Sequence, residues 1–164
     1  MLAVAFYDVA LAVHIMAVVA AFGLPLAYPL MVPYARRHHP RAMPAVHDLQ
    51  HRFNNRITAV GTVVILLIGA YLAGDRDYFS EVWVIVPLII LFIIGGVGGA
   101  IIVPATRKLH ELAQRDVTRG DAPGDAFTFS EEYDREFARY LRAEQFLGVL
   151  VLVAIFFMTA KPFA

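Results

Sequence analysis

Four long stretches without a charged side chain constrain the fold of this chain more than any other feature. They contain 27, 18, 25 and 16 residues and run from Val9 to Ala35, Ile57 to Gly74, Val82 to Thr106 and Gln145 to Ala160. A helix needs roughly 17–25 mostly apolar residues to cross the ~30 Å hydrocarbon layer of a bilayer. The first three stretches meet this length outright, and Tyr140 and Leu141 extend the fourth toward it. Arg142 and Glu144 lie in this extension and are expected to pair with each other or to reach toward the headgroups. The sequence therefore predicts four membrane-spanning helices.

The stretches are apolar on every side, and this excludes other fold classes. A soluble helix needs a polar face, and a membrane strand alternates apolar with polar residues. With 59% hydrophobic and 17% charged residues, the composition also differs from that of disordered and soluble proteins. We predict an all-α integral membrane four-helix bundle, a single domain over residues 1–164, with spans at about 6–34, 56–74, 82–106 and 140–160. No cleaved signal peptide is evident, so the first span is expected to be retained.

Basic residues are concentrated in the first and third connections between the predicted spans. Five arginines lie between residues 36 and 56, seven Lys or Arg lie between residues 107 and 142, and the short second connection carries Arg76 alone. Cytoplasmic loops collect Lys and Arg, so both termini are predicted to lie outside. In the third connection, residues 120–125 have the composition of a loop, and Ser130 is a candidate helix N-cap. Helices 3 and 4 are therefore predicted to extend into the cytoplasm as a hairpin, with a solvated surface as the simplest explanation of its charges.

His14 is the only strongly titratable side chain that lies well inside an uncharged stretch. It follows Asp8 by six residues and so lies roughly 9 Å deeper in the membrane. Intramembrane ionisable residues are rare and often functional, and neutral imidazole is a common ligand of haem iron and of metals. Two interpretations stay open: a ligand or proton-transfer group, or a neutral histidine bonded to a neighbouring helix. We expect Thr58, Thr62 or a carbonyl group of the fourth helix as its hydrogen-bond acceptor.

Prolines and glycines mark the first and third predicted helices. Pro25, Pro29 and Pro33 share one face, and each frees a carbonyl group that a neighbour or water must satisfy in lipid. This spacing predicts a bend in the inner half of the first helix. From Gly95 to Ala100 the third helix carries two pairs of small residues at four-residue spacing. Such pairs favour the close approach of another helix or a flat cofactor, and we predict helix packing inside the bundle.

His47 and His51 lie four residues apart in the first basic connection. On a helix they would share a face, as zinc sites require, but the chain has no cysteine and no zinc-protease motif. A basic amphipathic segment at the lipid headgroups is therefore favoured over metal binding. The sequence contains no phosphate-binding loop, Ser-His-Asp set or paired carboxylates. No catalytic residue is predicted, and enzymatic activity stays an open question.

The first helix carries the run Val13-His14-Ile15-Met16, which is similar to a Leu/Val-His-Ile-hydrophobic run found in small four-span bacterial membrane proteins. With its basic first loop and charged third loop, the chain resembles an uncharacterised family of predicted four-span integral membrane proteins. That family is similar to the membrane protoporphyrinogen oxidase of haem biosynthesis and to the copper-resistance D-type proteins. In the oxidase family the first-helix histidine is implicated in binding haem b. The resemblance maps this role, as cofactor and metal ligand, onto His14.

Two functional hypotheses follow. In the first, the chain is a small haem b-associated membrane protein in which His14 is an axial ligand. No other histidine lies within a span, so the haem would be five-coordinate or share a ligand from another subunit, with Met16, Tyr71 and Met158 as further candidates. In the second, it is a non-catalytic accessory or structural subunit of a larger membrane complex, for example a respiratory one.

The expected surroundings of the protein are the same under both hypotheses. Its partners are the lipid bilayer and either further copies of itself or other membrane subunits. Nucleic acid is not expected, because Lys+Arg and Asp+Glu are equal at 14 each. The 12 Arg against 2 Lys, with abundant Ala, favour a GC-rich prokaryote and hence a multi-pass protein of the prokaryotic plasma (inner) membrane.

Overall fold

The computed structural model describes residues 6–120 and 127–162, and this part of the chain is helical and contains no β-strand. Its six α-helices are α1 Phe6–His38, α2 Met43–Phe53, α3 Ala59–Asp75, α4 Val82–Val97, α5 Val103–Arg119 and α6 Glu131–Ala160. Two π-helical turns join α2 to α3 and α4 to α5, and they cover Asn54–Thr58 and Gly98–Ile102. The predicted all-α membrane bundle is confirmed. Most of the predicted loop at residues 120–125 lies outside the described residues.

Within the described residues, four continuous helical segments are long and apolar enough to cross a membrane. They are Phe6–His38, Pro40–Asp75, Val82–Arg119 and Glu131–Ala160. The depth at which these segments lie in the bilayer stays a prediction. The side of the membrane on which the termini lie also stays a prediction. We call the end of the bundle that holds Phe6 and Ala160 the terminal end, and the end that holds His38, Arg119 and Glu131 the charged end.

Four of the helices, α1, α3, α4 and α6, form a ring in which direct neighbours are antiparallel. α1 packs against α3 and α6, and α4 packs against the same two helices. α1 and α4 therefore occupy opposite corners. At the charged end, α2 packs against α5, and α5 packs against α6.

The contact between α1 and α3 depends on small residues. A Cβ atom at Gly61 would lie 2.7 Å from the Cβ of Ala21, so a larger residue there would collide with α1. The hydroxyl of Thr58 donates to the carbonyl oxygen of Ala21 over 3.1 Å. Pro25 leaves this carbonyl without its helical donor, and the neighbouring helix satisfies it, as expected in lipid.

The predicted packing patch between Gly95 and Ala100 is wrong at most of its positions. A Cβ at Gly96, Gly98 or Gly99 would meet no described atom within 4 Å, and one at Gly95 would meet Thr62 at 3.9 Å. Spacing identifies a strip of small residues but not the direction in which the strip faces. Here the strip faces mostly away from the other helices, and the close contact is made by Gly61 instead.

The third connection is a packed structure, which corrects the expectation that its charges mark solvated surface alone. Ser130 is the N-cap of α6, as predicted, and its hydroxyl accepts from the backbone N–H of Tyr133 over 3.3 Å. The hairpin of α5 and α6 buries a set of apolar side chains, namely Leu109, Leu112, Ala113, Tyr133 and Phe137. Helix α2 closes this core, and the sequence alone did not indicate that the basic first connection would fold back onto the hairpin.

Candidate functional site

His14 lies on the face of α1 that packs against α3, beside Gly69. A Cβ at Gly69 would lie 3.0 Å from Cε1 of His14 and 3.5 Å from its Nδ1. Nδ1 is buried and forms no hydrogen bond of standard geometry with a described residue, although the imidazole interacts with the backbone of Ile65. The absence of a side chain at Gly69 therefore leaves room for the Nδ1–Cε1 edge of the imidazole against α3.

The side-chain acceptors expected for His14 are wrong. Thr62 donates to the carbonyl oxygen of Thr58 in its own helix over 2.8 Å, and Thr58 donates to Ala21. Threonines in a helix readily bond to a carbonyl one turn earlier, and a proline-freed carbonyl competes well for the other hydroxyl. The neighbour of His14 is the backbone of α3, not a threonine or α6.

The other residues considered as axial ligands take part in different contacts. Tyr71 lies edge-on to Phe6 with ring centroids 5.5 Å apart, and Met158 packs against a small buried cluster at the terminal end that contains Trp83. Met16 is 60% exposed on the outer surface of α1. None of these contacts, as described, involves the imidazole of His14.

A chain of buried hydrogen bonds links α2 to α6 at the charged end. The hydroxyl of Tyr133 lies 2.9 Å from Nε2 of His47, and Nδ1 of His47 lies 2.9 Å from Oε1 of Gln50. Nε2 of Gln50 donates to the hydroxyl of Tyr140 over 2.6 Å, and Tyr140 interacts in turn with the carboxyl of Glu144. All five side chains are at most 4% exposed. Because an amide oxygen can only accept, the proton of His47 lies on Nδ1, and Nε2 accepts from Tyr133.

Burial lowers the pKa of His47 to about 4. This residue precedes the apolar stretch that begins at Ile57, so it lies outside the predicted span. An imidazolium here would lose its hydration, and a positive charge on nearby His110 would also oppose it, whereas the hydrogen bond with Gln50 partly favours it. His47 is therefore neutral at pH 7, as the directions of its hydrogen bonds require.

The spacing of residues on α6 explains why this network exists. The buried face of α6 repeats every three or four residues and consists of Tyr133, Phe137, Tyr140, Glu144, Leu147 and Val151. Such spacing places all six on one stripe of a helix. Glu144 therefore occupies a core position between three aromatic residues and two aliphatic residues.

The carboxyl of Glu144 ends the network within the predicted fourth span. It lies near Tyr28 of α1, with which it interacts electrostatically, yet neither Oε1 of Glu144 nor the hydroxyl of Tyr28 has a hydrogen-bond partner among the described residues. From the sequence we considered that Glu144 would pair with Arg142 or reach the headgroups. Arg142 donates to the carbonyl of Ala138 instead, over 3.2 Å. The interpretation of His14 as the lone ionisable group inside the spans is therefore wrong, and the regular stripe on α6 was the signal that identifies Glu144.

Polar contacts with α5 hold the first turn of α6, where the buried stripe of α6 begins. Asp116 accepts from the backbone N–H and the hydroxyl of Ser130 over 2.9 and 2.7 Å. Arg115 bridges Asp116 and Glu132 at 3.3 and 3.1 Å. The first turn of α6 is thus held against α5, which sets the rotation that turns Tyr133 and Tyr140 toward α2.

The structure separates the histidines that the sequence considered for metal binding. His47 belongs to the buried network, whereas Nδ1 of His51 lies 3.1 Å from the carbonyl oxygen of Val103. His110 bonds to the carbonyl of Pro44 over 2.8 Å. Across residues 6–120 and 127–162, no three His, Cys, Asp or Glu side chains are placed to share a metal ion. The expectation that this segment lies on lipid headgroups is wrong for its His47 face, because α5 and α6 cover it.

Comparison with known proteins agrees with this architecture. No curated protein and no solved structure matches the chain. A family model described as "Predicted integral membrane protein (DUF2269)" matches residues 8–162, which is nearly the whole chain. This match confirms the resemblance to an uncharacterised family of integral membrane proteins. The chain therefore belongs to the DUF2269 family of predicted integral membrane proteins.

Proposed function

We propose that this integral membrane protein associates with haem b, with Nε2 of His14 as the iron ligand, in a prokaryotic plasma membrane. The observation that carries the proposal is the orientation of the imidazole, with Nδ1 buried against the backbone of α3 beside Gly69. Metal-ligating histidines are commonly held in this way, with one nitrogen toward a backbone carbonyl and the other toward the metal. The chemistry of the donor therefore fits a haem ligand.

The residues around His14 would orient the ligand rather than react. Gly69 leaves room for the imidazole edge, and the backbone of Ile65 interacts with the ring. A proton on Nδ1 would keep Nε2 free to bind iron. Haem iron supplies one-electron or oxygen chemistry when it is bound. No residue that the structure describes indicates a substrate, so the proposal extends to haem association alone.

A porphyrin at His14 would need a second surface to cover it. In the most apolar 18-residue window of α1, 11% of the residues are buried within one copy of the chain. We propose that a second copy or another membrane subunit packs here and either supplies the second axial ligand or leaves the iron five-coordinate. The alternative function is that of an accessory subunit without a cofactor, in which the same surface binds a partner.

The visible absorption spectrum of the purified protein tests the proposal. We expect a Soret band in the wild type, its loss in His14→Ala, and its retention in the control His38→Ala, because His38 is exposed and stacks on Tyr34 at the charged end. Gly69→Ala, whose new Cβ would press on the imidazole, should shift the band or weaken haem binding. Melting curves show whether each variant is folded.

Three results would count against haem association. They are a colourless wild type even when cells are supplied with haem, a His14→Ala variant with an unchanged spectrum, and equal haem loss in the His38→Ala control. A colourless protein that co-purifies with other membrane proteins would favour the accessory-subunit function.

A further inference from the structure

Two buried polar atoms from different helices share one region of the bundle and lack hydrogen-bond partners among the described residues. They are Oε1 of Glu144 on α6 and the hydroxyl oxygen of Tyr28 on α1. Both side chains are 4% exposed. An unpaired polar atom in an apolar interior is unfavourable, so two such atoms at one place point to a bound species.

Fixed cations do not supply the missing partner. Helix α6 packs against α1, α4 and α5. Tyr28 is the titratable group that α1 directs toward Glu144, and the sequence of α4 contains none. The basic residues on the nearby part of α5 are engaged elsewhere, since Arg107 pairs with Glu111 at 3.1 Å and Lys108 lies within 4 Å of Glu132 and Glu136.

The hydrogen-bond network fixes the roles of the oxygens around Glu144. Gln50 donates to the hydroxyl of Tyr140, so the proton of that hydroxyl is free to be donated to the carboxyl of Glu144. Gln50 is an amide that does not take up protons, and it separates Tyr140 from His47. The chain of hydrogen bonds therefore holds Tyr140 in place and does not conduct protons from His47 to Glu144.

We propose that Glu144 is a proton-binding site within the membrane, with the hydroxyls of Tyr140 and Tyr28 as its two partners. A proton added to the carboxylate at Oε1 gives the neutral acid, whose O–H donates to the oxygen of Tyr28, while the other carboxyl oxygen accepts from Tyr140. Release of the proton restores the carboxylate, to which the hydroxyl of Tyr28 would then donate, so the hydrogen bond between α1 and α6 reverses its direction. The ligand is the proton itself, and no oxidant or further reactant is involved.

Labelling with dicyclohexylcarbodiimide, an apolar reagent that adds to protonated carboxylic acids, tests the proposal. The acid adds to the carbodiimide and rearranges to a stable N-acylurea, so mass spectrometry locates the modified residue. We expect modification of Glu144 in the wild type in lipid vesicles, decreasing as the pH rises. Glu144→Gln should abolish the modified peptide. Tyr28→Phe should keep it but displace its pH dependence, because the acid loses its acceptor.

Glu136→Gln is the matched control on the same helix. Glu136 pairs with Lys108 at 3.8 Å and precedes the predicted span, so this variant should be labelled at Glu144 like the wild type. The proposal is overturned if Glu144 is not labelled at any pH in folded protein, or if its labelling is independent of pH. Protection by sodium ions at constant pH would also overturn it, since it would assign the site to a metal cation.

Discussion

The charged end and the terminal end of the bundle are held together by different interactions. At the charged end, α2, α5 and α6 enclose large side chains with no exposed surface, among them Tyr133, Tyr140 and His47, and hydrogen bonds connect them across helices. The terminal end has a small buried cluster of Ala73, Trp83 and Val84, with Tyr78, Phe157 and Met158 at its edge. Many other large apolar side chains along the spanning segments are exposed.

The difference follows from the two solvents that a membrane protein meets. Lipid chains are as apolar as leucine, so helices in the bilayer gain little from burying apolar surface against each other. Outside the hydrocarbon, the same surface must be removed from water, and buried polar groups must find partners. The charged end therefore specifies the register of the helices, and the spanning segments mainly provide length and hydropathy.

Truncation of one large side chain at each end should show the difference in stability between the two ends most clearly. Tyr133→Ala removes a fully buried ring and leaves Nε2 of His47 without its donor, so we expect a loss of about 3–5 kcal/mol. Phe156→Ala removes a side chain that is 57% exposed on a spanning segment, and it should change stability little in lipid. Thermal unfolding in the same detergent compares the two. Equal losses would contradict the comparison.

Acid should weaken the charged end in particular. The pKa of His47 is about 4 in the folded protein and about 6.5 when unfolded, so the unfolded state takes up the proton first as the pH falls. The contribution of this group is therefore complete above about pH 6.5 and is lost progressively toward pH 4, by about 3 kcal/mol in total. His47→Gln should flatten the pH dependence of unfolding, whereas the exposed control His38→Gln should retain it. An unchanged slope in His47→Gln would refute the assignment.

A pair of glycine substitutions refines the comparison within the spanning segments. The new Cβ of Gly61→Ala would lie 2.7 Å from the Cβ of Ala21, so we expect overpacking to destabilise the contact of α1 and α3 by about 1–3 kcal/mol. Gly96→Ala meets no described atom within 4 Å and should stabilise slightly, since alanine favours a helix by roughly 1 kcal/mol. Melting temperatures measured side by side give the sign of each effect. A destabilised Gly96→Ala would show that another chain packs on that strip.

Accessibility labelling should identify the cytoplasmic end without altering stability. The natural chain has no cysteine, so Ala42→Cys at the charged end and Ser80→Cys at the terminal end each introduce a single exposed thiol. The arginines near residue 42 predict that an impermeant reagent applied outside labels Ser80→Cys alone. Labelling of Ala42→Cys from outside would reverse the orientation.

Hydropathy and local sequence signals were sufficient to predict the helical elements of the fold. The four uncharged stretches predicted the spanning helices, because crossing hydrocarbon requires length and the absence of charge. Ser130 predicted the start of α6, since a hydroxyl at the N-cap satisfies a free backbone N–H of the first turn. The carbonyl freed by Pro25 predicted a polar neighbour, which proved to be Thr58. Each of these signals acts within one helix or one turn.

The candidate sites depended on how the helices face each other, and sequence alone did not decide that. His14 was identified as an intramembrane histidine, but its neighbour Gly69 lies 55 positions later on another helix. Glu144 was placed near headgroups, whereas the rotation of α6 turns it into the core beside Tyr28 and Tyr140. The small residues from Gly95 to Ala100 formed the clearer motif, yet Gly61 makes the contact.

Length and hydropathy alone identified four helices that are long and apolar enough to cross a membrane, because that requirement is set by the solvent and by the length of the helix. Which polar side chains are buried together depends on the packing of the helices, since one face of a helix is buried only where a neighbouring helix covers it. In the sequence alone, His47, Gln50 and Glu144 resemble ordinary polar residues of a charged loop or of the membrane–water interface. They form a network because α2 and α6 lie side by side with these residues facing each other. That arrangement depends on the packing of the whole bundle.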